Sequence, residues 1–167
     1  MIIHCSKKLS SKLADVSKEP LNETSPLGSW HGHLVTLDRR QCLFLCHDET
    51  RFVLFLPGML KEHFSELGSK WFRQLFTATL AAFGCPDVQI RKAELALGPL
   101  RFDTSTDRSV QGTLRVSILD LEIWIQGMNV MELDPLATSC RLSHRPVTIR
   151  GKWLWPEKAM LEKVAAL

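Results

Sequence analysis

The residues best equipped for chemistry gather in two parts of the chain. In the first, His31 and His33 alternate along one predicted strand and Cys46 and Asp48 lie at the same two-residue step along the next. Alternation puts each pair on a single side of a sheet. With Arg39 and Arg40 as the two turn residues, His33 faces Cys46, His31 faces Asp48 and Val35 faces Phe44. An imidazole beside a carboxylate is the equipment of general acid–base catalysis, so one reading is a hydrolase or nuclease that uses His31, His33 and Asp48, with or without a metal. An imidazole beside a thiolate suits zinc, which makes His31, His33 and Cys46 the metal candidates. The opposing reading is that the thiols fill a core and the imidazoles are satisfied side chains, because no close C-x-x-C pair exists and Cys42 and Cys46 stand too far apart along a strand to share one ion. On that ground no cofactor is expected. Cys46 and His47 are neighbours and point to opposite faces of a strand, which argues against a thiol–imidazole dyad there.

The second place is residues 135–156, which hold Arg141, Arg145, Arg150, Lys152 and His144, no Asp or Glu, and the indoles Trp153 and Trp155. Guanidinium groups interleaved with indoles suit a polyanion that also stacks. The leading reading is therefore a non-enzymatic interaction module that contacts nucleic acid or an acidic protein through Arg141, Arg145, Arg150, Lys152, Trp153 and Trp155. Two tryptophans two apart in an extended segment share a face, and that face could equally close a hydrophobic core. A third cluster, Asp103 to Ser109, has the donors to hold an anion but reads better as helix capping, since Asp103 and Asp107 repel a phosphate. Gly112, inside the helix that follows, implies close packing by a neighbour.

Motifs of the common enzyme classes are missing: no Gly-x-Ser-x-Gly elbow, no His-Glu-x-x-His, no phosphate-binding Walker loop and no Gly-rich dinucleotide fingerprint. The chain has 167 residues, with 21 Lys and Arg against 18 Asp and Glu, a formal charge of +3. That balance is far from a dedicated DNA binder. No apolar run approaches the roughly 20 residues of a membrane helix. Five unpaired-looking cysteines in apolar surroundings, and lysines at once after Met1, Ile2 and Ile3, point to a reduced, cytoplasmic setting.

Positioning these groups falls to a small set of elements. The hydrophobic pattern predicts a strand over residues 1–5, a brief helix over 8–16, a loop over 17–28 and a three-stranded antiparallel meander over 30–37, 41–47 and 52–56. Helices follow over 64–83, 86–97, 108–126, 135–142 and from Pro156 onward, with a further strand over 100–104. Val110, Leu114, Ile118, Leu121 and Ile125 align on one side of a helix expected to be long and largely buried. The sum is one α+β domain over residues 1–167: a small, mostly antiparallel sheet of the N-terminal strand and the meander, covered by helices.

Three segments carry a resemblance. They are Met1-Ile2-Ile3-His4-Cys5-Ser6-Lys7-Lys8-Leu9, Asp38-Arg39-Arg40-Gln41-Cys42, and Asp107-Arg108-Ser109-Val110-Gln111-Gly112. Together they resemble a family of uncharacterised bacterial proteins of about this length, in which Thr is usual at Ser6, Asn at Asp38 and Asp107, and Lys at Gln41. The likeness covers essentially the whole chain. It implies a compact bacterial α+β domain and supplies no activity, cofactor or catalytic residue.

Overall fold

The computed structural model describes residues 1–149 and 151–167. Apolar residues at successive positions, Ile2, Ile3 and Cys5, form β1 (Ile2–Cys5), whose near-complete burial marks a strand covered on both faces. The meander follows as β3 (Trp30–Leu37), β4 (Arg40–His47) and β5 (Val53–Leu56). Two short strands, β2 (Val16–Ser17) and β6 (Arg101–Asp103), complete a sheet of order β2-β6-β1-β3-β4-β5. The fold class is α+β. The sheet, however, is six-stranded and mixed rather than small and mostly antiparallel, because β1 runs parallel to both β3 and β6, and β2 parallel to β6. β6 falls where a strand was expected over 100–104, but the two residues of β2 carry too little periodicity to be seen in a sequence, and a parallel pairing has no turn to announce it.

The helices are α1 (Lys7–Ser10), α2 (Lys61–Ser65), α3 (Phe72–Ala82), α4 (Asp87–Leu97), α5 (Arg108–Trp124), α6 (Pro135–Ser143) and α7 (Pro156–Ala165). The helix expected over 8–16 stops at Ser10, and Val16 joins a strand instead. A single π-helical turn, Leu67–Trp71, interrupts the stretch expected as one helix over 64–83. Asp107 caps α5 by accepting the N–H groups of Ser109 and Val110, Asp134 caps α6 by accepting that of Ala137, and Pro135 and Pro156 open their helices as the sequence signals require.

The β3–β4 turn differs by one residue from expectation. Asp38 and Arg39 both have positive φ, 44° and 60°, and are the two central residues, so Leu37 pairs with Arg40. Opposite partners move by two: Val35 faces Cys42, His33 faces Phe44 and His31 faces Cys46. An even displacement keeps every side chain on its expected face.

One face of the sheet, with Ile3, Leu34, Leu43, Leu45 and Leu54, packs against α1, α3, α4 and α7. At its centre Trp30 is fully buried, meeting Phe72 and Phe76 edge-on at ring distances of 5.0 and 5.6 Å. The other face, with Cys42, Phe44, Cys46, Val53 and Phe55, is covered by α5 and α6. Only one side of α5 is buried; Val116, Leu119 and Ile123 are exposed. α6 also covers the free edge of β5, where Ser143 and Ser139 accept the N–H groups of Val53 and Phe55 at 2.9 and 3.0 Å. Strands β7 (Val147–Ile149) and β8 (Lys152–Leu154) form a separate hairpin between α6 and α7.

Candidate functional site

On the α5 face, β1, β3 and β6 bring a chain of polar groups together. Asp103 at the end of β6 accepts from His4 Nδ1 at 2.6 Å, and Asp48 accepts from His31 Nδ1 at 2.7 Å and from Ser29 Oγ at 2.7 Å. The two imidazoles lie 4.8 Å apart, and His4 Nε2 stands 3.7 Å from Asp48. His31 Nε2 accepts the Asp107 N–H at 2.9 Å, so its ring carries its proton on Nδ1. Burial alone would raise both carboxyls. Hydrogen bonds from His31 and Ser29 nonetheless hold Asp48 below the usual range, and those from the Leu21 N–H, His4 and the Ser105 N–H do the same for Asp103. Arg51, buried with φ of 59°, donates to the Asp48 carbonyl and to Ser109 Oγ at 2.9 Å. This network pins the loop after β6 and the start of α5 to the sheet.

His31 and Asp48 are thus in contact, although not as strand partners, and both ring nitrogens of His31 are engaged. His33 lies elsewhere, half-buried in the wall of a cleft. Burial holds it below its ordinary range, with Lys8 and Arg115 adding to the shift. Cys46 is fully buried and donates to the His47 carbonyl; desolvation drives its thiol far up, away from any thiolate role. Cys5 is pushed up to about 12, by burial first and by Asp103 second. Among the described residues, no three His, Cys, Asp or Glu side chains are placed to hold a metal ion.

The C-terminal residues assemble a surface of cations and indoles. Arg141 on α6 lies over the ring of Trp124 at the end of α5, 4.5 Å from its centroid, and Lys158 lies 5.3 Å from the ring of Trp155. His144 packs edge-on against Trp155 and holds Glu157 at 2.5 Å. Trp153 on β8 is 75% exposed and Lys152 beside it is exposed, so the indole face closes no core. Arg145 is half-buried where α6 gives way to β7. Arg150 lies outside the described residues.

A cleft of about 1150 Å³ opens beyond the carboxyl ends of β1 and β6, between α1, β3 and α5. Residues 1–9 and 107–112, two of the segments that carry the resemblance, meet across it. Residues 2–159 match the model of DUF6933, a domain of unknown function. The chain belongs to the DUF6933 family. No curated protein and no solved structure matches it.

Two features of this DUF6933 domain escaped sequence reasoning. Trp124 sits seventeen positions before Arg141, at the end of a different helix, and only the seating of α5 and α6 on the same sheet face unites them. The cleft is the second: nothing in the sequence shows that β1 and β6 are parallel neighbours. Gly112 was expected to lie under a close neighbour, yet a Cβ there would meet no atom within 4 Å, because this side of α5 faces the open cleft.

Proposed function

We propose that this domain is a binding module for single-stranded nucleic acid, held at the surface formed by the end of α5, α6, the β7–β8 hairpin and the start of α7. The observation that carries this reading is Trp153, an indole 75% exposed beside Lys152 in the middle of β8, its face left largely uncovered by the described residues. Bases stack on exposed indoles, each worth about 1–3 kcal/mol, while Arg141, Arg145, Lys152 and Lys158 supply charge to the backbone. The nearby carboxylate of Glu157 is buried and bonded to His144, so it presents little of its surface to a ligand. An acidic protein would use the cations but would have no need of the indole faces, which favours nucleic acid.

The reading is tested by titrating the protein with a fluorescently labelled oligouridine and following anisotropy. Binding should weaken at least tenfold between about 50 and 200 mM salt, and Trp153→Ala should weaken it by roughly tenfold or more at fixed salt. Salt-sensitive binding that Trp153→Ala leaves untouched would replace nucleic acid with an acidic partner, and no binding at low salt would end the proposal.

A further inference from the structure

The cleft beyond β1 and β6 is a site separate from the cation–indole surface. Adjacent parallel strands β1 and β6 send the chain to opposite faces of the sheet: β1 runs into α1, whose Leu9 is buried in one core, and β6 runs toward α5, whose Val110 and Leu114 are buried in the other. Such a divergence leaves a crevice at the carboxyl ends of the strands, the position where open sheets containing parallel strands take their ligands. Its volume, about 1150 Å³, is ample for a small organic molecule.

The lining defines the chemistry. Lys7, Arg108 and Arg115 bring three cations to it against a single carboxylate, Glu122. None of the three cations forms an ion pair among the described residues. The wall also carries the hydroxyls of Ser6, Ser10, Thr104 and Thr106, and Val35, Ile118 and Leu119 make one apolar stretch on the side toward the middle of α5. Two of the lining residues also break local rules. Arg108 stands at the first position of α5, against the positive end of the helix dipole, and Gly112 sits inside a helix, where every residue but Pro would serve helix formation better. Local rules broken in one place, with nothing in the fold gained, mark a functional site. The loop that carries Thr104 and Thr106 into the cleft is held rigid by the Asp103–His4 and Asp107–His31 bonds beneath it.

We infer that this cleft binds a small organic phosphate, its phosphoryl oxygens held by Lys7, Arg108 and Arg115 and its apolar body laid along Val35, Ile118 and Leu119. A carboxylate, with one charge and two oxygens, is satisfied by one guanidinium; three cations lining one cleft match the greater charge and three terminal oxygens of a phosphate monoester. His33, neutral at pH 7, adds a hydrogen-bonding group without adding charge. The α5 N-terminal N–H groups are not invoked, since Asp107 already accepts those of Ser109 and Val110.

The test is calorimetric titration of the full chain with naphthyl phosphate, with inorganic phosphate and naphthol as separate probes. Naphthyl phosphate should bind at least roughly tenfold more tightly than either fragment. Arg115→Gln should weaken it by roughly tenfold or more. Gly112→Leu fills the cleft from a helical backbone position with open space beside it, so it should abolish binding while raising the melting temperature. Equal binding of inorganic phosphate, undiminished binding to Gly112→Leu or to Arg115→Gln, or no heat with naphthyl phosphate at millimolar concentration would each overturn the inference. Trp153→Ala should leave this binding unchanged; a loss in that variant would place the phosphate on the other surface and overturn the cleft as its site.

Discussion

His47 shows how one buried side chain sets a pH dependence. Its Nε2 donates to the Leu27 carbonyl at 2.6 Å and its Nδ1 accepts from the Thr50 N–H at 3.1 Å, a pattern only the neutral ring can make. Burial is the main reason its pKa falls from 6.5 to about 4. Between those values the unfolded chain takes up a proton that the folded chain refuses, so stability is full above pH 6.5 and declines as pH falls toward about 4. The loss over that window should reach about 3 kcal/mol from His47, and His33, shifted the same way, steepens it. Urea midpoints measured from pH 7 down to pH 4.5 check this, and a flat profile would contradict it. Below that window Asp48 and Asp103 take over: their lowered values mean that stability is lost as pH falls through their folded-state pKa. At this scale the sequence was only partly legible. It placed His31, His33, Cys42 and Cys46 on one face, as found, but whether an imidazole is free or engaged depends on partners such as Asp107 and Leu27, far away along the chain.

Among the elements, the β3–β4 hairpin shows what alternation decides and what it leaves to the turn. Period-two patterning determined which residues face α5, whereas the register hung on whether two positive-φ residues were Arg39-Arg40 or Asp38-Arg39. Neither candidate contains Gly, although Asp tolerates positive φ better than Arg, which favours Asp38-Arg39. Arg39, at φ 60°, pays a steric cost that Gly avoids, and Arg39→Gly should stabilise the domain by about 1 kcal/mol. Chemical denaturation measures that gain, and a loss of stability would mean that the Arg39 side chain makes contacts outweighing its strain. The helix boundaries were legible because their signals are local: Asp107, Asp134, Pro135 and Pro156 each act within one turn of their own position. The π turn at Leu67–Trp71 has no such local signature.

At the scale of the whole molecule, one mixed sheet carries a core on each face, and the last helix belongs to the larger one. Met160 and Val164 of α7 are fully buried there, alongside residues of α3 and β1. Burying two such side chains contributes about 3–6 kcal/mol, against a total of about 5–15 for a domain. Removal of residues 156–167 should therefore abolish the cooperative thermal transition seen by circular dichroism; a truncated chain that still melts cooperatively would show that α7 is an accessory. The amino-acid sequence by itself determined the fold class, the meander, the five longer helices and the face each strand turns inward, because periodicity and caps act over a few residues. It also located the cations and indoles of the C-terminal segment. Tertiary structure alone decided the parallel pairing of β1 with β3 and β6, the stacking of Arg141 on Trp124, the joining of His4 and Asp103 to the His31–Asp48 pair and the cleft between α1 and α5. Each of these joins residues distant in the chain, and the free energy that joins them comes from burying two sheet faces at once, which no local pattern encodes.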